Sequence, residues 1–207
     1  MSGIPVTPSH NAKYPSEDPT ALQQHVAWWD KDNDGVIWPS DIYHGFRALG
    51  FGILLSVVSS IVICLSLSYP SGSTWYPDWA GRIWIGGIHK AKHGSDSDVY
   101  NRKGVFDERA FEEIFSTYAD HPNYDSLTPA QLFKLIKGNA DPYDFFGWQA
   151  NFLEWASFYV LLWPEDGRIT KAQLQALYDG SLFPQIAKKV EARRLKAREF
   201  LGELKDK

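Results

Sequence analysis

Residues 30 to 41 read Asp-Lys-Asp-Asn-Asp-Gly-Val-Ile-Trp-Pro-Ser-Asp, the oxygen spacing of an EF-hand calcium loop. Asp30, Asp32 and Asp34 occupy loop positions 1, 3 and 5, and Gly35 occupies position 6, where the chain must turn sharply. Val36 offers a backbone carbonyl at position 7, and Asp41 closes the loop at position 12. Calcium is a hard cation that takes six to eight oxygens, and this spacing wraps them around one point. Asp41 is shorter than the bidentate Glu usual at position 12, which weakens affinity or favours magnesium. The flank is unusual. The incoming helix of such a loop is apolar one, four, five and eight residues before it, and those places hold Trp29, Val26, His25 and Leu22. A histidine fills a slot that normally faces the core, which calcium alone does not require. His25 is either a hydrogen-bonded core residue or a ligand.

Two further histidines, His89 and His93, lie four residues apart and on a helix would share a face. That pair could bind a metal. Lys90 follows His89, so no HExxH protease pattern exists, and Lys90 and Lys92 disfavour a second cation. A haem is compatible, because its propionates accept lysine and its iron takes neutral imidazoles. No CxxCH occurs, so such a haem is non-covalent. No GxSxG and no phosphate-cradling loop occurs, and Cys64 lies in an apolar stretch, so nucleophilic catalysis lacks support.

The elements that position these residues are mainly helical. The 207 residues suffice for one or two domains with a sizeable core. A net charge of −4 gives no footprint for nucleic acid. The lone cysteine forms no internal disulfide. Residues 1 to 18 are polar and proline-rich, without an apolar run, and read as a disordered lead-in with no signal peptide. An EF-hand follows over 19 to 48, its first helix running from about Pro19 to Trp29 and its second carrying Ile42, Phe46 and Leu49.

Residues 49 to 78 form an apolar segment, without charge from Ala48 to Pro77, that ends in a turn marked by Pro70, Gly72 and Pro77. About 20 apolar residues cross a bilayer as a helix. Serines 56, 59, 60, 66 and 68 weaken a full span. A short hairpin dipping into lipid and a buried helix are the alternatives.

Residues 79 to 184 read as helices with short loops. Three places resemble the second half of an EF-hand, with Phe106, Leu127 and Ile169 at loop position 8 and a helical apolar stripe after each; the alternative is ordinary capped helices. Their position 12 falls on Ala110, Gln131 and Gln173, so only the first unit is equipped for metal. Phe145 to Trp163 is the densest aromatic block and carries one charge, Glu154. Such a helix is central to a core or in contact with lipid. Residues 185 to 207 form a charged C-terminal helix with eight Lys/Arg and four Asp/Glu.

These residues together resemble the caleosins, also called calcium-binding haem peroxygenases. The resemblance rests on Leu22-Gln23-Gln24-His25-Val26-Ala27 running into the loop and on Ile88-His89-Lys90-Ala91-Lys92-His93-Gly94-Ser95-Asp96-Ser97. It rests also on Phe146-Gly147-Trp148 and Asp179-Gly180-Ser181-Leu182-Phe183. It implies one calcium and one haem b, and a peroxygenase that uses a fatty-acid hydroperoxide to hydroxylate, epoxidise or sulfoxidise an apolar lipid acceptor. It implies attachment to a lipid droplet or endoplasmic-reticulum membrane through the apolar segment. Self-association is left open. It points to His25 and His93 as the histidines tied to haem and activity, with His89 a further matched histidine. His25 is then expected to ligate iron, and His93 to move a proton or ligate the second face. Calcium would act as a clamp on the helix that presents His25. Departures from the family pattern are the thinner proline cluster at Pro70 and Pro77, Asp41 in place of Glu, and a short N-terminal arm. The alternative expectation is a non-enzymatic lipid-droplet structural protein regulated by calcium.

Overall fold

The structure, a computed structural model, describes residues 18–205; the expected lead-in lies, apart from Asp18, outside the described residues. The first helix, α1 (Ala21–Ala27), starts where Thr20 and Gln23 form a reciprocal capping box, each side chain taking the other's backbone N–H. The acidic loop leads into β1 (Val36–Ile37) and α2 (Pro39–Ala48). Then come α3 (Ile53–Ser71), β2 (Ile83–Trp84) and a 3-10 helix (Ile85–Ala91). The second half holds α4 (Glu108–Tyr118), β3 (Ser126–Leu127), α5 (Pro129–Gly138), α6 (Phe145–Leu162), β4 (Ile169–Thr170), α7 (Lys171–Tyr178) and α8 (Leu182–Lys205).

Two small antiparallel ladders join helix–loop–helix units in pairs. Leu127 lies opposite Ile169, which couples two of the degenerate units through the residues expected at loop position 8. Both side chains are fully buried, beside Phe111, Phe115 and Leu174. The Phe106 unit behaves differently. Ile37 of the acidic loop pairs with Ile83, after the apolar helix, whereas Phe106 makes a local bridge to Tyr100. The strand partner of the metal loop is thus supplied by a segment whose two residues carry no helical or repeat pattern of their own.

Position 12 has the same structural job in three of the four units. Asp41 Oδ2 accepts the Trp38 N–H at 2.8 Å, Gln131 Oε1 accepts the Thr128 N–H at 2.7 Å, and Gln173 Oε1 accepts the Thr170 N–H at 2.8 Å. Each caps the first turn of the outgoing helix, so the glutamines preserve the helix start after metal capacity is gone.

The apolar helix α3 is turned inside out. Ser56, Ser60, Cys64, Ser68 and Ser71 are buried, while Leu54 and Leu65 are 78% and 79% exposed. The buried residues recur every three or four positions, one face of a helix. Small side chains there let α3 lie close to α2, β2 and the 3-10 helix. Ser56 and Ser60 donate back to the carbonyls of Gly52 and Ser56 at 2.8 Å, which satisfies their hydroxyls without water. The serines therefore do not dilute the outward face. Ser56, Ser60, Ser68 and Ser71 define the inward one, and Ser59 and Ser66 are half-buried.

Candidate functional site

His25 reaches across the fold from α1. Its Nδ1 lies 2.6 Å from the carbonyl oxygen of Leu177 at the end of α7. A carbonyl only accepts, so Nδ1 carries the proton and Nε2 keeps its lone pair. Burial pulls the imidazole below its ordinary pKa, against the opposing influence of the Leu177 bond and the charges of Glu154 and Asp179. The ring is neutral, oriented through its far nitrogen, and packed 5.2 Å from the Phe183 ring. That is the posture of a metal-ligating histidine.

The approach of α1 to the α7–α8 turn depends on Gly180. It has φ +78°, and a Cβ there would sit 2.9 Å from Gln24 O and 3.0 Å from His25 Cα. Only glycine allows both the left-handed backbone and the contact.

His25 lines a cavity of about 310 Å³, a size suited to a cofactor or small ligand. Trp29, Phe46, Phe51, Trp155, Phe158 and Phe183 supply apolar walls, and Leu67 and Leu161 bring α3 and α6 to it. His93 and Asn151 are its least satisfied polar residues. His93 Nδ1 and Asn151 Nδ2 are buried without hydrogen-bond partners among the described residues. His93 Nε2 stands 3.7 Å from Glu154 Oε2, and the His93 side chain is 8% exposed. Burial pulls the His93 pKa down, but the pairing with Glu154 and the charges of Glu154, Asp96 and Asp144 outweigh it, so the net shift is upward. The two histidines thus differ: His25 is held neutral, and His93 is poised to carry a proton.

His89 does not join them. The 3-10 helix ends at Ala91 and Lys92 is extended, so His89 and His93 lack a common helix face. The cavity lining includes His93 and not His89. The lysines expected near propionates are already engaged. Lys92 Nζ lies 3.2 Å from Asp96 and 3.5 Å from Asp98 and donates to the Tyr100 carbonyl, and Lys90 Nζ donates to the Gly72 carbonyl.

Asp144 holds the His93 segment in place. Its Oδ2 accepts both the N–H and the Oγ–H of Ser95 at 2.8 Å, while Oδ1 accepts the Gly147 N–H at 2.9 Å. One carboxylate thus caps α6 and anchors the loop two residues past His93. The Ser95 hydrogen bond, then the Gly147 N–H, hold the Asp144 carboxyl below its usual range. Sequence reasoning did not single out Asp144, Asn151 or Tyr178 for the site. Asn151 and Glu154 are the polar pair at helical spacing inside an aromatic block, and that was the available signal.

At the acidic loop, one carboxylate oxygen from each of Asp30, Asp32 and Asp34 lies within 4.8 Å of the others. Asp30 is buried and accepts the N–H groups of Gly35 and Asp34 at 2.9 and 3.3 Å. Burial, with the neighbouring Asp32 and Asp34, pushes its carboxyl up to about 6. Three crowded carboxylates, one costly to ionise, are a donor set that a hard divalent cation relieves. Val36 opens β1, its N–H bonded to Asp34 Oδ1 at 2.8 Å. Asp41 stands apart from the trio, its Oδ2 turned to the Trp38 N–H.

The donors also fit a haem. A neutral imidazole faces an aromatic cavity, and two buried polar atoms there lack partners.

The family described as "Caleosin related protein" matches residues 17–187. The chain is 41% identical to "Probable peroxygenase 4" of Arabidopsis thaliana over 185 residues, 87% of this chain and 92% of that protein. It is 38% identical to "Peroxygenase" of Lilium longiflorum over 185 residues, 89% of this chain and 77% of that protein. It is 33% identical to "Probable inactive peroxygenase-like protein" of Arabidopsis thaliana over 145 residues, 70% of this chain and 69% of that protein. No solved structure matches the chain. With a family match spanning most of the chain and the acidic loop and histidine cavity in place, the chain belongs to the caleosin family.

Proposed function

We propose that this protein is a calcium-binding haem peroxygenase that takes oxygen from a fatty-acid hydroperoxide and delivers it to an apolar acceptor at a lipid-droplet or endoplasmic-reticulum surface. The observation that carries this reading is the bond from His25 Nδ1 to the Leu177 carbonyl, which leaves Nε2 free toward an aromatic cavity. When bound, haem supplies cleavage of the peroxide O–O bond and transfer of one oxygen. His25 Nε2 would hold the iron, with its tautomer set by Leu177. His93 Nδ1 accepts the hydroperoxide proton, and the nearby Glu154 carboxylate stabilises the imidazolium. The apolar walls align the acyl chain and exclude water.

Calcium bears on the same helix. Asp30 stands three residues past the last residue of α1, its N–H bonded to Ala27 O at 3.2 Å. Drawing Asp30, Asp32 and Asp34 around one ion fixes the end of the helix that carries His25.

The outward face of α3 supports lipid contact. This helix is long and apolar enough to cross a membrane by length and composition, with 22% of its apolar window buried. Its serine face packs on protein along its length, so lipid can cover only the opposite face, as for an interfacial helix.

The test is the absorption spectrum of the purified protein. A Soret band in the wild type and its loss in His25→Ala are expected; a variant with full haem and full hydroperoxide-dependent activity would remove His25 from the mechanism. A non-catalytic lipid-droplet protein is the second reading, favoured by the exposed α3 face and by the relative named as inactive. It is the outcome if the protein floats with droplets yet never takes up haem.

A further inference from the structure

Helix α6 is apolar on most sides, yet its inward face carries an amide. Asn151 is 1% exposed, and its Nδ2 has no hydrogen-bond partner among the described residues. A buried donor in that state is costly, so its retention points to a partner that arrives with a ligand. Asn151 lines the cavity with His93, whose Nδ1 is likewise buried and unpartnered. Glu154, one turn further along α6, faces His93 Nε2. One wall of an apolar cavity therefore offers an N–H donor, a proton acceptor and a negative charge.

That combination selects a head group. It must accept a hydrogen bond, present an O–H, be uncharged, and ride on an apolar chain. A carboxylate is repelled by Glu154 and by Asp96, which also lines the cavity. A lipid hydroperoxide meets all four conditions, and a fatty-acid hydroperoxide then enters with its carboxylate away from this wall.

Resting on the peroxygenase reading above, we infer that Asn151 is the residue that positions the hydroperoxide. Its Nδ2–H donates to a peroxide oxygen and directs the terminal O–H at His93 Nδ1, which takes that proton. The Glu154 carboxylate, 3.7 Å from His93 Nε2, favours the ring proton on that nitrogen and so keeps Nδ1 as the accepting nitrogen.

The experiment is equilibrium binding of two probes to the calcium- and haem-loaded full chain, read by tryptophan quenching, since Trp29 and Trp155 line the cavity. The probes are hydroxylinoleic acid, which carries an O–H but cannot react, and linoleic acid. The wild type is expected to bind the hydroxy acid about three- to tenfold more tightly, the range of one net hydrogen bond. Asn151→Leu should bring the two constants together while leaving linoleic acid binding unchanged. If that variant does not melt like the wild type, Asn151→Ala, which only removes atoms, is read in its place. A preference that survives in the variant, or is missing from the wild type, overturns the inference. Turnover of hydroperoxide by the wild type is scored separately. Its absence beside an Asn151-dependent preference would sink the peroxygenase reading and leave the binding site standing.

Discussion

Ser95 and Asp144 are joined twice, through the Ser95 N–H and Oγ–H to a single Asp144 carboxylate oxygen at 2.8 Å. Two sequence motifs, the His93-Gly94-Ser95 loop and the Phe146-Gly147-Trp148 helix start, meet at this carboxylate. The clamp sets His93 against α6, where Glu154 and Asn151 stand. Ser95 is fully buried, and its Oγ also accepts the Asp141 N–H at 3.2 Å. Ser95→Ala should cost about 1–3 kcal/mol, because it strips bonds from buried groups. Thermal unfolding measures that cost. The same variant should lose hydroperoxide turnover more than haem content, since His25 is held by other contacts. Equal loss of both would contradict a role confined to the His93 side.

Gly180 separates the backbone of α1 from the α7–α8 turn. Gly180→Ala meets both a left-handed φ and contacts near 3 Å to Gln24 and His25. A penalty of about 1–3 kcal/mol is expected. It should be accompanied by a weaker Soret band, because α1 must retreat from Leu177. Normal haem loading in a folded Gly180→Ala protein would show that the His25–Leu177 bond tolerates the shift.

The calcium loop should impose its own pH dependence. With calcium chelated, the folded Asp30 carboxyl sits at about 6, against an ordinary 3.8. The folded state binds this proton more tightly than the unfolded state. The associated stability is complete below pH 3.8 and is lost as pH rises through about 6. Melting curves in chelator should therefore show this contribution falling between those values, and saturating calcium should erase it. Calcium affinity should fall as the pH drops below about 6, where protons compete for Asp30. Identical pH profiles with and without calcium would exclude Asp30 as a ligand.

The two faces of α3 predict opposite mutational effects. Leu54→Lys with Leu65→Lys changes exposed positions and should alter stability in solution by no more than about 0.5 kcal/mol per site. Flotation with lipid droplets should be lost, because charges replace the apolar contact. Ser60→Leu enlarges a buried contact and should destabilise by about 1–3 kcal/mol. Droplet binding by a folded Leu54→Lys, Leu65→Lys protein would move the lipid contact elsewhere.

What could be read from the chain alone was local. The Asp30–Asp32–Asp34 spacing, the Gly35 turn and the apolar residues at Leu127 and Ile169 are legible because loop and helix geometry act over about a dozen residues. The motifs around His25 and His93 carried the family likeness for the same reason: they are contiguous strings. The tertiary structure decided what depends on partners far along the chain. It gave His25 its proton direction through Leu177, 152 residues away. It separated His89 from His93 by ending a short helix between them, and it engaged Lys90 and Lys92 with Gly72 and the Asp96 region. It also sorted Ser56, Ser60, Ser68 and Ser71 of α3 to the inward face, where composition had suggested dilution. Periodicity identifies faces, but only packing decides which face meets protein and which meets lipid. The same holds for Asn151, one amide in an aromatic helix until the fold set it beside His93.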